Sequence, residues 1–333
     1  MKSLRDHTIQ LIEPLTNLNV DRLQLTELKG GINSAVFSVE IDAKPLGVIK
    51  KYPNDPKRDR RANEAEFLKF LNIALPNKAP RLLATLPSEN ISLLEWIDGK
   101  PNSELQADDA DQFTKFQLAM DKFKSIDHAK QIGPAADAVL CPIDLITQLR
   151  KRLSQFYELQ LPEQVNSFLC KEFEPFMDRS IHNTLDVYKT LNIDDEASLS
   201  PEFQTLIASD LGTHNTVRRS NGELVFIDFE FAGWDDPITA IANFIFHPGM
   251  KPGIDLRQPF VESVLQHFNA YPNIVERYHA MLPLFGLRWC LIILNSYRQL
   301  PDSPSQTSST QNRHNQLEQL KKSVLLFNNI RSA

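Results

Sequence analysis

Cysteine is scarce. Cys141, Cys170 and Cys290 are the only three in 333 residues, and their wide separation fits neither a metal-ligand spacing nor a disulfide framework. Free, mostly buried thiols in a reducing compartment are the expectation. Long apolar runs are missing too. No stretch reaches the ~20 apolar residues that cross a bilayer. The nearest, around Cys290-Leu291-Ile292-Ile293-Leu294, is stopped by Arg288 and Asn295. Met1 to His7 leads into no apolar signal core. Positive charge is short: 36 basic against 42 acidic side chains give −6, with no compensating Lys/Arg run. Such a surface repels a phosphate backbone, which argues against nucleic acid as a partner. No internal repeat is present, so a solenoid is not indicated. These absences predict a soluble, cytoplasmic protein, monomer or homodimer, with neither membrane nor nucleic acid as partner.

What is present is ordinary globular composition, 42% apolar and 23% charged, at a length that suits two domains or one large two-lobed one. Leu23 to Leu28, Ala35 to Ile41 and Leu46 to Tyr52 read as short strands separated by turn residues, followed by a helix over about Asp59 to Asn72 and a further strand over Ile91 to Ile97. After Pro101 the pattern is mainly helical: Ser103 to Phe123, Ile143 to Leu159, Glu163 to Phe176 and His182 to Leu191. A strand-like island interrupts it at Thr205 to Ala208, Thr216-Val217 and Leu224 to Phe229, with Ser220-Asn221-Gly222 as a hairpin turn. Helices then resume, with Pro301 to Gln311 as a Ser/Thr/Pro-rich loop before a last helix over Gln316 to Asn328.

The island carries the chemistry. Asp210-Leu211-Gly212-Thr213-His214-Asn215 is followed, thirteen residues after the Asn, by Asp228 at the end of an apolar strand. Phosphoryl transfer to a hydroxyl needs a carboxylate that orients the attacking hydroxyl, and an amide and a second carboxylate that hold Mg²⁺ against the phosphates. Asp210, Asn215 and Asp228 would fill those roles in that order. The same residues also fit a plain turn, with Asp210 capping it, Asn215 satisfying its backbone and Asp228 ending an edge strand.

Asp210-x-x-x-x-Asn215, the hairpin, and Ile227-Asp228-Phe229-Glu230-Phe231-Ala232-Gly233-Trp234 resemble the catalytic and metal-binding loops of the aminoglycoside phosphotransferase and choline kinase superfamily. One departure is Ala208, where the family usually carries a loop-supporting histidine. The resemblance implies an α+β, two-lobed, protein-kinase-like fold: a small antiparallel sheet plus one helix over residues 1–97, and a larger helical lobe over residues 98–333. It implies ATP and Mg²⁺ as cofactors. It also implies that the first lobe supplies a phosphate-covering loop, a lysine and a paired glutamate.

Lys29-Gly30-Gly31-Ile32-Asn33-Ser34 lies between two strands, where the glycines permit close backbone approach to phosphate, though a Gly-Gly turn also suits a simple hairpin. Gly30, Gly31, Asn33 and Ser34 are the candidates there. Alternation puts Lys50 and Lys51 on opposite faces of one strand without saying which points inward; the family's apolar-apolar-Lys pattern selects Lys50. Phe67, Leu68 and Leu71 share a helical face with Glu64, and a carboxylate on an apolar stripe needs a partner, which Lys50 would be; Glu66 points elsewhere. Glu95 and Ile97 fall at the expected hinge, where main-chain groups would read an adenine. The resemblance puts the acceptor beside Asp210 and the segment after Asp228, making Glu230, Trp234, Asp235 and Arg288 acceptor-side candidates. Asp236-Pro237 also reads as a helix cap and first position, and a Trp such as Trp289 more often belongs to a core.

The functional expectation is transfer of the ATP γ-phosphate to a hydroxyl of a small molecule, aminoglycoside-like, sugar or amino alcohol, with Asp210 as base. The alternative is a nucleotide-binding pseudokinase acting as an interaction module. Nothing resembles a protein-kinase activation segment ending in Ala-Pro-Glu, so no protein acceptor is indicated.

Overall fold

The computed structural model describes residues 3–28, 34–102, 104–250, 254–298 and 306–332. The chain packs into two compact units, Met1–Ala136 with Thr205–Trp234, and Asp137–Gln204 with Asp235–Ala333. The segment bearing Asp210, Asn215 and Asp228 therefore packs in the same unit as the N-terminal strands.

In the first unit α1 (Leu4–Ile12) precedes the strands β1 (Leu23–Glu27), β2 (Ala35–Ile41) and β3 (Lys44–Lys51). Helix α2 (Arg60–Ala74) follows, then β4 (Leu82–Leu86) and β5 (Ile91–Leu94). The five strands form one sheet in the order β1-β2-β3-β5-β4, every pair antiparallel. Alternation sorts its faces. Val39, Ile41, Ile49, Ile91 and Leu93 form one core with Leu11 and Ile12 of α1. Lys50, between Val36 and Ser92 in the ladder, points the other way, where α2 lies. Helix α2 starts because Asp59 caps it, its Oδ1 accepting Ala62 N–H at 2.8 Å.

Two elements of this unit escape the sequence pattern. α1 is short, and its start is marked by a capping box between Ser3 and Asp6. β4 is half-buried along its whole length, so it shows no alternation to read.

The rest of the first unit comprises β6 (Lys100–Pro101), α3 (Asp109–Lys122), β7 (Thr205–Ile207), β8 (Thr216–Arg218), β9 (Leu224–Phe226) and β10 (Gly233–Asp235). β8 and β9 form the hairpin, with Thr216 opposite Phe226, and β6 adds to its edge. β7 pairs with β10. α3 begins later than expected, and its Phe113 and Phe116 pack on Phe226 at centroid distances of 5.2 and 4.0 Å. Gly233 is required: a Cβ there would lie 2.5 Å from the Gly133 carbonyl oxygen and from Ala135 N.

The second unit contains α4 (Pro142–Tyr157), α5 (Glu163–Phe168), α6 (Glu174–Thr190), α7 (Pro237–Phe246), α8 (Ile254–His267), α9 (Ile274–Ile293) and α10 (Gln306–Ser332). A π-turn over Leu169–Phe173 joins α5 to α6, and α6 runs unbroken through residues 176–182, so two expected helices run on as one. α10 starts at Gln306, inside the stretch expected as a loop; residues 301–305 lie outside the described residues. α9 packs against α4, α6, α7 and α10. Together with its short continuation to Tyr297, α9 is long and apolar enough to cross a membrane by length and composition alone. It is a core helix nonetheless, carrying Arg277 and Arg288 at 4% and 5% exposure. Cys141 and Cys290 are buried, whereas Cys170 is exposed.

Candidate active site

Lys50 is the centre of the polar group in the first unit. Its Nζ lies 2.7 Å from Glu64 Oε2, 2.6 Å from Asp228 Oδ1 and 3.2 Å from Glu230 Oε2. Lys51, one residue on, is exposed. Burial works against the ammonium, but Glu64 and Asp228 outweigh it, and Lys50 stays charged well above its usual range. Glu64 also accepts Tyr52 O–H at 2.7 Å and Phe229 N–H at 3.0 Å. Glu66, by contrast, meets only Lys69 at the surface.

The hairpin sets the other half of the group. Asn215 precedes β8 directly, and its carbonyl accepts Ile227 N–H at 2.9 Å, which puts the amide beside the residue that precedes Asp228. Asn215 Nδ2 donates to the Asp210 carbonyl at 2.8 Å, leaving Oδ1 as the atom able to meet a cation. Two backbone angles place the acids. Ser209 sits at φ 60° and lets Asp210 N–H fold back onto Ala208 O at 2.8 Å, and Asp228 itself sits at φ 67°. Left-handed backbone is uncommon outside glycine, though a short polar side chain such as Asp tolerates it, and its presence at Ser209, just before Asp210, and at Asp228 is strain of the kind that gathers at working sites. His214 Nε2 lies 3.7 Å from Asp210 Oδ1, and that carboxylate holds the imidazole above its ordinary value.

Helix α2 secures the stretch after Asp228. Asn63 Nδ2 donates to the Ala232 carbonyl at 2.9 Å, and an Arg58 guanidinium nitrogen reaches the same oxygen at 3.1 Å. Phe229 stacks on Phe67 at 5.3 Å. Partial burial pushes the Asp228 carboxyl up to about 6, with Lys50 opposing the rise and Glu64 and Glu230 adding to it.

Gly30, Gly31 and Asn33 lie outside the described residues. Ser34 is described: buried, it donates its hydroxyl to Glu230 Oε2 at 2.7 Å. Glu95 N–H is taken by the Arg81 carbonyl at 2.9 Å, and its side chain accepts Arg81 N–H at 3.1 Å. Trp96 and Ile97 come after the end of β5 and are half-buried. The Trp234 indole N–H donates to Ala129 O at 3.1 Å.

Asp235 and Arg288 belong to the second unit. Asp235 is fully buried and accepts Val139 N–H at 2.9 Å and Asp236 N–H at 2.7 Å, and burial pushes its carboxyl up to about 8. Arg288 donates to Gln148 Oε1 at 2.9 Å, and burial lowers it to about 10. Asp236 caps α7, with Pro237 at its first position.

Sequence reasoning missed Tyr52, Arg58, Arg60 and Asn63 as part of this group. Their positions beside Lys50 on β3 and beside Glu64 on α2 were the available signal.

Chemically, the group offers a cation for phosphate, fixed from behind by buried carboxylates, and two oxygen donors, the half-exposed Asp228 carboxylate and the buried Asn215 amide. Asp228, with a side chain 34% exposed, and the free Asn215 Oδ1 are hard oxygen ligands of the kind Mg²⁺ takes one or two at a time, so the residues present fit that ion.

Comparison with known proteins agrees with this geometry. No curated protein matches the chain in sequence. Among solved structures, an ethanolamine kinase from Plasmodium vivax aligns at 18% identity and TM-score 0.60, over 97% of this chain and 89% of that one. Choline kinase LicA from Streptococcus pneumoniae aligns at 14% and 0.57, over 98% and 99%. The spectinomycin phosphotransferase APH(9)-Ia, solved with ADP and spectinomycin, aligns at 13% and 0.57, over 96% and 98%. These likenesses establish the α+β kinase-like fold. The family model described as the phosphotransferase enzyme family matches residues 24–274. The chain therefore belongs to the phosphotransferase enzyme family.

Proposed function

We propose that the protein transfers the γ-phosphate of ATP, with Mg²⁺, to a hydroxyl group of a small molecule. Lys50 binds the α- and β-phosphates, and Glu64 holds it in place. Asn215 and Asp228 hold the metal, which when bound neutralises charge on the phosphates. Asp210 accepts and orients the acceptor hydroxyl, taking its proton as the oxygen attacks. The observation that carries this reading is the contact of Lys50 with both Glu64 and Asp228, since it joins residues far apart in sequence that the chemistry needs together. The main chain from Glu95 to Ile97 is the proposed adenine contact.

An aminoglycoside-like or sugar hydroxyl is the leading acceptor class, with choline and ethanolamine second. The solved kinases of similar fold act on both kinds of compound, as their names state.

The test is ADP release and product formation from Mg-ATP across a panel of sugars, aminoglycosides, choline and ethanolamine. A turnover signal with one class, lost in a folded Asp210→Asn variant, is the expected result. Full transfer by that variant would remove Asp210 from the role of base.

A further inference from the structure

Glu230 stands outside the acid-amide-acid set and outside the Lys50–Glu64 pair. The resemblance assigns it to the acceptor side, but its surroundings do not suit an acceptor contact. The residue is 1% exposed, and its carboxylate oxygens meet donors from three other stretches of the first unit. Ser34 Oγ, just before β2, donates at 2.7 Å; Lys50 Nζ of β3 lies at 3.2 Å; and Arg60 at the start of α2 lies at 3.2 Å, its guanidinium also stacked over Phe231 at 4.8 Å.

An ammonium has three N–H donors. Hydrogen bonds to Glu64 at 2.7 Å and Asp228 at 2.6 Å take two of them, and Glu230 Oε2 lies at ion-pair distance, 3.2 Å. The three carboxylates differ in access, because Glu64 and Glu230 are 1% exposed while the Asp228 side chain is 34% exposed. A ligand can compete for Asp228 alone.

We propose that Glu230 is a positioning residue, the second buried anchor that fixes the Lys50 ammonium when Asp228 is engaged by a metal-nucleotide complex. The inference rests on the phosphotransferase reading of the same site. With Glu64 as the sole remaining partner, a lysine on four rotatable bonds keeps one ion pair and can swing about it. With Glu230 as well, two buried carboxylates flank the ammonium, and the N–H that met Asp228 is left for a phosphate oxygen. Ser34 on Oε2 and Arg60 on Oε1 make this tenable, since a buried carboxylate needs donors on both oxygens.

The test is calorimetric binding of Mg-ADP to the full chain, with circular dichroism to confirm folding. Glu230→Gln is expected to raise Kd about tenfold, the scale of one charge-assisted hydrogen bond. In a Lys50→Met background the same change should add nothing, because the anchor then has nothing to hold. An additive loss in that background would mean that Glu230 acts by another route and would overturn the proposal. So would an unchanged Kd in Glu230→Gln, which would leave the kinase reading intact. A wild-type protein that binds no Mg-ADP would overturn the kinase reading itself, and this inference with it. Should Lys50→Met not fold, the Ser34 variants decide. Ser34→Ala is expected to weaken binding about threefold through Glu230, with Ser34→Thr restoring it. A wild-type Kd in Ser34→Ala would then reject the anchor.

Discussion

Replacing Glu64 by glutamine tests the centre of the site while leaving its outline unchanged. The carboxylate is 1% exposed and takes three donors: Lys50 Nζ and Tyr52 O–H on Oε2, each at 2.7 Å, and Phe229 N–H on Oε1 at 3.0 Å. A carboxamide offers one accepting oxygen and one NH₂ in the same space. Whichever way it turns, at least one of those donors faces another donor. The lost charge-assisted bond is worth roughly 1.5–3 kcal/mol and the orphaned donor roughly 1–3 kcal/mol. Lys50 still has Asp228 and Glu230, which holds the sum to about 3–4 kcal/mol, the lower part of the range for a broken buried pair. That loss should lower the thermal midpoint by about 5 °C for a chain of 333 residues in a scan followed by calorimetry. Glu66→Gln is the matched control. Its pair with Lys69 has side chains 34% and 46% exposed, so the loss should stay below about 1 kcal/mol. A Glu64→Gln protein within 1 kcal/mol of wild type, or equal losses in both variants, would refute the claim that Glu64 is the buried partner of Lys50.

Asp210→Asn should leave the fold intact and lower phosphate transfer by about 10²–10⁴-fold, the usual contribution of a positioned general base, as read by product formation at saturating Mg-ATP. Asp210 raises the folded-state value of His214, so the stabilisation is complete below about 6.5 and fades as pH rises through that raised value. The midpoint should accordingly fall between pH 6 and 8 in wild type and fall less in His214→Gln; parallel curves would dissociate the imidazole from Asp210. Because the Asp228 carboxyl is raised to about 6, it is neutral below that pH, and Mg²⁺ dependence of nucleotide binding should weaken as pH drops from 7.5 to 5. A Mg²⁺ midpoint constant over that range would exclude Asp228 as a ligand.

Much of the first unit is legible because its strands are bounded by turn residues and α2 has one apolar face. Phe67, Leu68 and Leu71, which single out Glu64, are all fully buried. What the pattern hides has physical causes. β4 is half-buried throughout, so its Leu-Leu-Ala-Thr-Leu shows no period of two. The expected break between residues 176 and 182 does not occur, because that stretch lies wholly within α6, whose buried Met177, Ser180, Ile181 and Thr184 keep a helical spacing. Asp235 looks like a surface acid beside Trp234, yet three donors, Val139 N–H, Asp236 N–H and Thr239 O–H, satisfy one of its oxygens inside the second unit.

The site divides along the same line, by sequence separation. Asp210, Asn215 and Asp228 flank one hairpin within nineteen residues, and Lys50 and Glu64 are fourteen residues apart, so local spacing is enough to suggest each set. Nothing local relates the two sets, since Lys50 and Asp228 are 178 residues apart and Ser34 and Glu230 are 196 apart. The left-handed backbone at Ser209 and Asp228 is equally silent in sequence, because neither position is a glycine. Glu230 shows the consequence. Two residues after Asp228 in the chain it reads as a group facing a ligand; among Ser34, Lys50 and Arg60 it is a buried carboxylate with its oxygens engaged. Its meaning depends on three donors, Ser34 just before β2, Lys50 on β3 and Arg60 on α2, and only the folded chain brings them to it.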